Sequence, residues 1–125
     1  MNKNNLRKKL TEIAYNVTQN SQTEPPYSGE YNDFFENGTY HCVCCKEMLF
    51  SSKDKFKSSS GWPSFTNAIK SLALCYIKDE SYNMVRTEVK CKNCNAHLGH
   101  VFDDGPEPYN KRYCINSVAL GFEKE

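Results

Sequence analysis

The chain has 125 residues, 16 basic and 15 acidic side chains, and a formal net charge of +1. That length makes one domain with a modest core, and the balanced charge argues against a nucleic-acid partner, which leaves a strong basic footprint. Mean hydropathy is −0.74 and no apolar run reaches membrane-spanning length, so no membrane association and no secretion leader are expected, and the expected location is cytoplasmic.

From the N-terminus, Leu6, Leu10, Ile13 and Val17 recur at helical spacing. They predict one apolar stripe in a helical segment over residues 1–20, with Asn4 or Asn5 as N-cap. Arg7-Lys8-Lys9 reads as its solvated face. Residues 21–36 contain Thr23-Glu24-Pro25-Pro26, where two prolines exclude helix and predict an extended strap. The remainder, 37–125, reads as a β domain. After the Asn37-Gly38 turn, Thr39 to Val43 and Met48 to Phe50 are short strands. Lys53 to Ser60 is polar and serine-rich and reads as a loop, followed by Gly61-Trp62-Pro63-Ser64-Phe65 and a short turn near Phe65 to Ile69. Ser71 to Ile77, Asn83 to Lys90 and His97 to Phe102 are further strands. Asp103-Asp104-Gly105-Pro106 is a turn signal, and Tyr113 to Phe122 is a last strand or strand pair. Short strands between turns predict a mainly antiparallel β fold.

The seven cysteines divide by spacing. Cys42 with Cys45 and Cys91 with Cys94 form two Cys-x-x-Cys pairs. Two such turns supply the four soft ligands of a closed, tetrahedral structural zinc site. Between the pairs lie 45 residues, more than in a compact zinc ribbon, so a sizeable substructure lies between them. Cys44 adds a third sulfur to the first knuckle, and His97, three residues after Cys94, is an alternative ligand.

Cys114 stands apart in Arg112-Tyr113-Cys114-Ile115-Asn116. On a strand, Arg112, Cys114 and Asn116 share one face. A guanidinium beside the sulfur favours the thiolate, and the Asn116 amide offers to orient a substrate oxygen. Two readings stand for Cys114: a nucleophile, or a small buried core residue. His97 and His100 favour the first, because a nucleophilic thiol works beside a proton donor or acceptor. Trp62, the single indole, is either core or a wall for a substrate methyl group.

These segments resemble the methionine-R-sulfoxide reductase, or MsrB, family. The resemblance rests on Thr23-Glu24-Pro25-Pro26, Cys42/Cys45 followed by Leu49-Phe50, Gly61-Trp62-Pro63-Ser64-Phe65, Arg86-Thr87-Glu88-Val89, His97-Leu98-Gly99-His100-Val101-Phe102 and Arg112-Tyr113-Cys114-Ile115-Asn116-Ser117. It implies two antiparallel sheets clamped by a structural four-cysteine zinc site, with short N-terminal helices. It also implies a monomer acting on methionine-R-sulfoxide in oxidised proteins or peptides, with thioredoxin or another thiol as reductant. Carried onto this chain, Cys114 is the nucleophile, supported by Arg112. His97, His100 and Asn116 surround the sulfoxide oxygen, and Trp62, with Phe102, receives the methyl group. Cys114 would be left as a sulfenic acid. One departure is Ser60, where many family members carry a recycling cysteine. An external thiol, or Cys75, would then complete the cycle. Two other functions compete: a non-enzymatic zinc-ribbon binding module, and a zinc hydrolase or deaminase. The last needs an open metal position and a nearby carboxylate, and no His-x-Glu precedes either cysteine pair.

Overall fold

A computed structural model describes residues 3–125. The N-terminal stripe is divided between two helices, α1 (Lys3–Lys9) and α2 (Glu12–Asn20). The cause is Thr11, whose hydroxyl accepts the Ala14 N–H at 3.2 Å and caps a new helix. The break turns Ile13 outward, 41% exposed, while Leu6 and Val17 stay buried. Asn4 and Asn5 lie inside α1, so neither is its cap.

Nine strands follow, in two antiparallel sheets: β1 (Gly38–Cys42), β2 (Met48–Ser51), β3 (Lys55–Phe56), β4 (Ser64–Phe65), β5 (Leu74–Asp79), β6 (Arg86–Cys91), β7 (His97–Phe102), β8 (Arg112–Ile115) and β9 (Leu120–Lys124). The smaller sheet has the order β2-β1-β9, the larger β3-β4-β8-β7-β6-β5. The stretch expected to be a loop from Lys53 therefore holds strand β3, which pairs with β4 through Lys55↔Phe65 and Phe56↔Ser64. No helical turn forms at 65–69; the Ile69 N–H donates instead to the Leu49 carbonyl at 2.8 Å. The turn signal at Asp103 is displaced: the chain reverses over 107–110, closed by Asn110 N–H to the Pro106 carbonyl at 2.9 Å. The last segment is a strand pair, but β8 and β9 belong to different sheets, joined by a 3-10 turn at Ser117–Ala119.

Aromatic rings fill the space between the sheets. Phe50 of β2 stacks on Phe65 of β4 at 4.4 Å and 16°. Tyr40 of β1 meets Phe65 edge-on at 5.2 Å. Such pairs add specific geometry to the area they bury. At the same end of both sheets, the two cysteine knuckles repeat one geometry. Lys46 and Asn95, each following its pair, are left-handed (φ 68 and φ 66). The Lys46 N–H donates to the Cys42 carbonyl at 2.9 Å and the Asn95 N–H to the Cys91 carbonyl at 2.7 Å.

Gly99 of β7 lets β8 lie close. A Cβ there would stand 2.1 Å from the Cys114 carbonyl oxygen and 3.0 Å from the Ile115 Cα. Both are backbone atoms of a paired strand and have nowhere to retreat. Gly99→Ala is therefore expected to lower stability by about 2 kcal/mol or more, read as a lower urea midpoint at unchanged m.

Candidate active site

Strand pairing delivers the site. Across β8, Cys114 stands opposite Ser64 of β4 on one side and His100 of β7 on the other. Phe102 stands opposite Arg112, whose guanidinium lies 4.4 Å over the ring centroid. Side-chain alternation turns Arg112 and Cys114 to one face, and Asn116 continues it. The result is a cavity of about 250 Å³ lined by Cys114, His100, Asn116, Arg112, Trp62 and Phe102, with Thr23, Ser60, Arg86 and Gly99 completing it. That volume suits one side chain.

The loop carrying Trp62 depends on Gly61, at φ +98, where a Cβ would meet Pro26 at 2.7 Å. The Trp62 indole N–H donates to the Glu24 carbonyl at 3.1 Å, leaving the ring as an apolar wall. His100 is oriented by Asp79, whose Oδ2 lies 2.8 Å from Nε2. The same carboxylate receives Arg86 at 3.3 Å. Held by His100 above all, and by Ser81, the Asp79 carboxyl lies below the ordinary carboxylate range. Neither Asp79 nor Arg86 was singled out as a site residue from sequence. Only the β5–β6 register, which sets Asp79 opposite Arg86, brings them to the cavity.

Three sequence expectations change. First, Arg112 favours the Cys114 thiolate against an opposing effect of burial that the sequence did not announce. Its guanidinium forks onto Asp104, Nε to Oδ1 at 2.9 Å and Nη2 to Oδ2 at 3.1 Å, so its field at sulfur is divided. Burial pushes the thiol above its ordinary value; the Ser60 contact and Arg112 oppose this, and Glu24 adds to it. Second, the Asn116 amide is already held on both of its polar atoms. Its Oδ1 accepts the Glu24 N–H at 3.0 Å and its Nδ2 donates to the Leu98 carbonyl at 2.9 Å. Third, His97 stands behind the cavity and does not line it. It is 3% exposed, its Nδ1 lies 2.6 Å from Glu88 Oε2, and its ring centroid is 5.7 Å from that of His100. Burial lowers its pKa, against the pull of Glu88, and favours the neutral ring.

Ser60 stands beside the thiol, with its Oγ 4.0 Å from Cys114 Sγ. Cys75 lies on β5, and β6 and β7 separate β5 from β8, a distance of about 14 Å at the usual strand spacing. No disulfide spans that gap. Cys44 is buried and takes a contact from Gln19 Nε2 at 3.5 Å, beside the first knuckle.

The other four cysteines converge. The sulfurs of Cys42, Cys45, Cys91 and Cys94 all lie within 4.8 Å of one another. Cys42–Cys94 and Cys45–Cys91 are each 3.6 Å apart. A tetrahedral ion with sulfur at ~2.3 Å requires edges of roughly 3.8 Å, so the donor set fits a thiolate-bound metal. His97 is not among the four, which closes the three-sulfur alternative.

Fold and cavity together define a two-sheet β protein with a four-sulfur clasp and a separate, unligated thiol in a side-chain-sized pocket. A family model described as the SelR domain matches residues 10–124. A Thioalkalivibrio sulfidiphilus protein named peptide methionine sulfoxide reductase MsrB is 53% identical over 118 residues, covering 94% of this chain and 86% of its own. The Mus musculus protein named methionine-R-sulfoxide reductase B3, mitochondrial, is 52% identical over 117 residues, covering 94% of this chain and 46% of its own. Among solved structures, the Mis18 Yippee-like domain shares the fold, with a TM-score of 0.57 at 16% identity, over 72% of this chain and 98% of that one. The chain belongs to the SelR, or MsrB, family of methionine sulfoxide reductases. No helix among the described residues is long and apolar enough to cross a membrane.

Because Asp104 divides the Arg112 charge, Asp104→Asn should free the guanidinium and favour the Cys114 thiolate. The measurement is the pH dependence of Cys114 alkylation, read by mass spectrometry of the peptide that contains it. The unmodified protein is expected to react with a midpoint above that of free cysteine, and the variant with a midpoint at lower pH.

Proposed function

We propose that this protein is a peptide-methionine (R)-S-oxide reductase, acting as one cytoplasmic domain and as a monomer. The observation that carries this reading is an unligated thiol set directly across a strand pair from His100, inside a pocket of side-chain size, in a chain of this family. In the proposed reaction the Cys114 thiolate attacks the sulfoxide sulfur. The sulfoxide S–O bond breaks, its protonated oxygen ends on the Cys114 sulfur, and the cysteine sulfur gives up two electrons to the substrate sulfur. Methionine leaves and Cys114 becomes a sulfenic acid, the first reversible oxidation step of cysteine.

Charge develops on the sulfoxide oxygen, and His100 supplies its proton. The Asp79 carboxylate sets the orientation of that imidazole. Arg112 supports the thiolate as substrate displaces water and strengthens its field. Trp62 and Phe102 form the apolar side that takes the methyl group, opposite the polar side at His100. Three fixed groups around a chiral sulfur accept one epimer and reject the other. Asn116 stands in the cavity wall, tied to the strap and to β7, and His97 braces His100 from behind.

Zinc is the proposed ion of the clasp, held by Cys42, Cys45, Cys91 and Cys94. It supplies cross-linking between the two knuckles, and with four thiolates it has no open position for a substrate. That closed donor set disfavours a zinc hydrolase or deaminase. A purely structural zinc module would leave the Cys114–His100 cavity without a role.

Regeneration falls to an external thiol, thioredoxin or another small reductant, because no second cysteine lies near Cys114. The thiol attacks the sulfenic acid, water leaves, and a second thiol resolves the mixed disulfide.

Cys114→Ser should cut turnover of R-sulfoxide peptides by more than about a thousandfold while one zinc per chain remains bound. Wild-type protein should leave the S-epimer untouched. After one turnover without reductant, mass spectrometry should find Cys114 oxidised and no intramolecular disulfide. Chelation should remove the cooperative melting transition, since the free energy of a structural zinc site, roughly 10 kcal/mol or more, is folding free energy.

A further inference from the structure

The strap segment Thr23-Glu24-Pro25-Pro26 has no part in the chemistry above. Yet it carries the one buried carboxyl among the described residues: Glu24 is 1% exposed. Burying a carboxyl is costly unless its oxygens are satisfied, and this one is satisfied only by half. Its Oε1 accepts the Val118 N–H at 2.9 Å. Its Oε2 has no hydrogen-bond partner and lies against Gly29, where a Cβ would be 2.7 Å away. Burial accordingly raises its pKa, while the N–H groups of Val118 and Ser117 oppose the rise. An unfavourable group kept in such a place calls for a compensating role.

That role is visible in its backbone. The Glu24 N–H donates to Asn116 Oδ1 at 3.0 Å, and the Glu24 carbonyl accepts the Trp62 indole N–H at 3.1 Å. One peptide segment thus holds two residues of the cavity wall, and its neighbour Thr23 lines the same cavity. Around it, every other residue from 21 to 28 is exposed. The Glu24 side chain is therefore the only buried anchor of this stretch.

We propose that Glu24 is a positioning residue. Its carboxyl, hooked on the Val118 N–H, fixes the strap so that its peptide groups hold Trp62 and Asn116 in register with Cys114. The proposal rests on the reading of this cavity as the sulfoxide site. It is nonetheless testable without turnover, because Trp62 is the only tryptophan of the chain and its emission reports the clamp directly.

The experiment compares Glu24→Ala and Glu24→Gln with the unmodified protein by tryptophan emission, acrylamide quenching and steady-state kinetics on an R-sulfoxide peptide, with zinc content and melting as folding controls. Gln keeps a carbonyl acceptor for Val118. Its emission should match wild type and its KM should lie within about twofold. Ala removes the acceptor. Its emission should shift to longer wavelength, quenching should increase, and KM should rise about tenfold, with kcat falling less. If E24A does not fold, E24D, one methylene shorter, should give the same shift and the same KM rise in a folded, zinc-loaded protein. Wild-type emission and KM in folded E24A or E24D would overturn the proposal, as would an E24Q protein as impaired as E24A. If no variant and no wild type reduced sulfoxide, the emission comparison would still decide the role of Glu24.

Discussion

Strand β8 is the member on which the site depends. It is hydrogen-bonded on both sides, and each neighbour contributes through register alone. Pairing with β7 sets His100 beside Cys114 and Phe102 beside Arg112. Pairing with β4 sets Ser64 beside Cys114 on the other side, at the end of the loop that carries Trp62. A slip of one residue would send every one of these side chains to the opposite face of the sheet. Gly99 and the aromatic layer behind β4 and β8 hold that register. The chemistry is thus a property of a ladder of peptide hydrogen bonds before it is a property of any side chain.

The four-sulfur clasp acts on the same ladder from a distance. It joins β1 and β2 of the smaller sheet to β6 and β7 of the larger through Cys42, Cys45, Cys91 and Cys94. Cys42 and Cys94 are 52 residues apart in sequence, so an ion held by the four sulfurs would close a long loop and remove much chain freedom from the unfolded state. With the proposed ion bound, a chain of modest apolar content would gain there the cohesion that its small core does not supply. The repeated left-handed residues, Lys46 and Asn95, show the two halves solving one local problem in the same way.

Much of this was legible in the sequence because it was written in local spacing. The cysteine pairs, the strand at His97 to Phe102 and the shared face of Arg112, Cys114 and Asn116 all follow from periods of two or three residues. What escaped was set by partners far along the chain. Thr11 divides the helical stripe because a cap outweighs weak helix propensity. Strand β3 forms from a polar stretch only because β4 is there to pair with it. The state of Cys114 turned first on its burial, with Asp104 also holding Arg112, and the amide of Asn116 was already engaged by Glu24 and Leu98. Arg86 stands in one of the quoted segments, but its meeting with Asp79 beside His100 is set by a hairpin register that spacing does not announce. Polar side chains are legible by type from sequence, but their partners are a matter of tertiary distance.

On the proposed cycle, the hydroxyl of Ser60 beside Cys114, with Cys75 three strands away, gives the oxidised molecule no exit of its own. The persistence of that state is dictated from outside, by how often a diffusing donor finds a half-buried atom in a small open cup. Between such encounters the molecule would be spent.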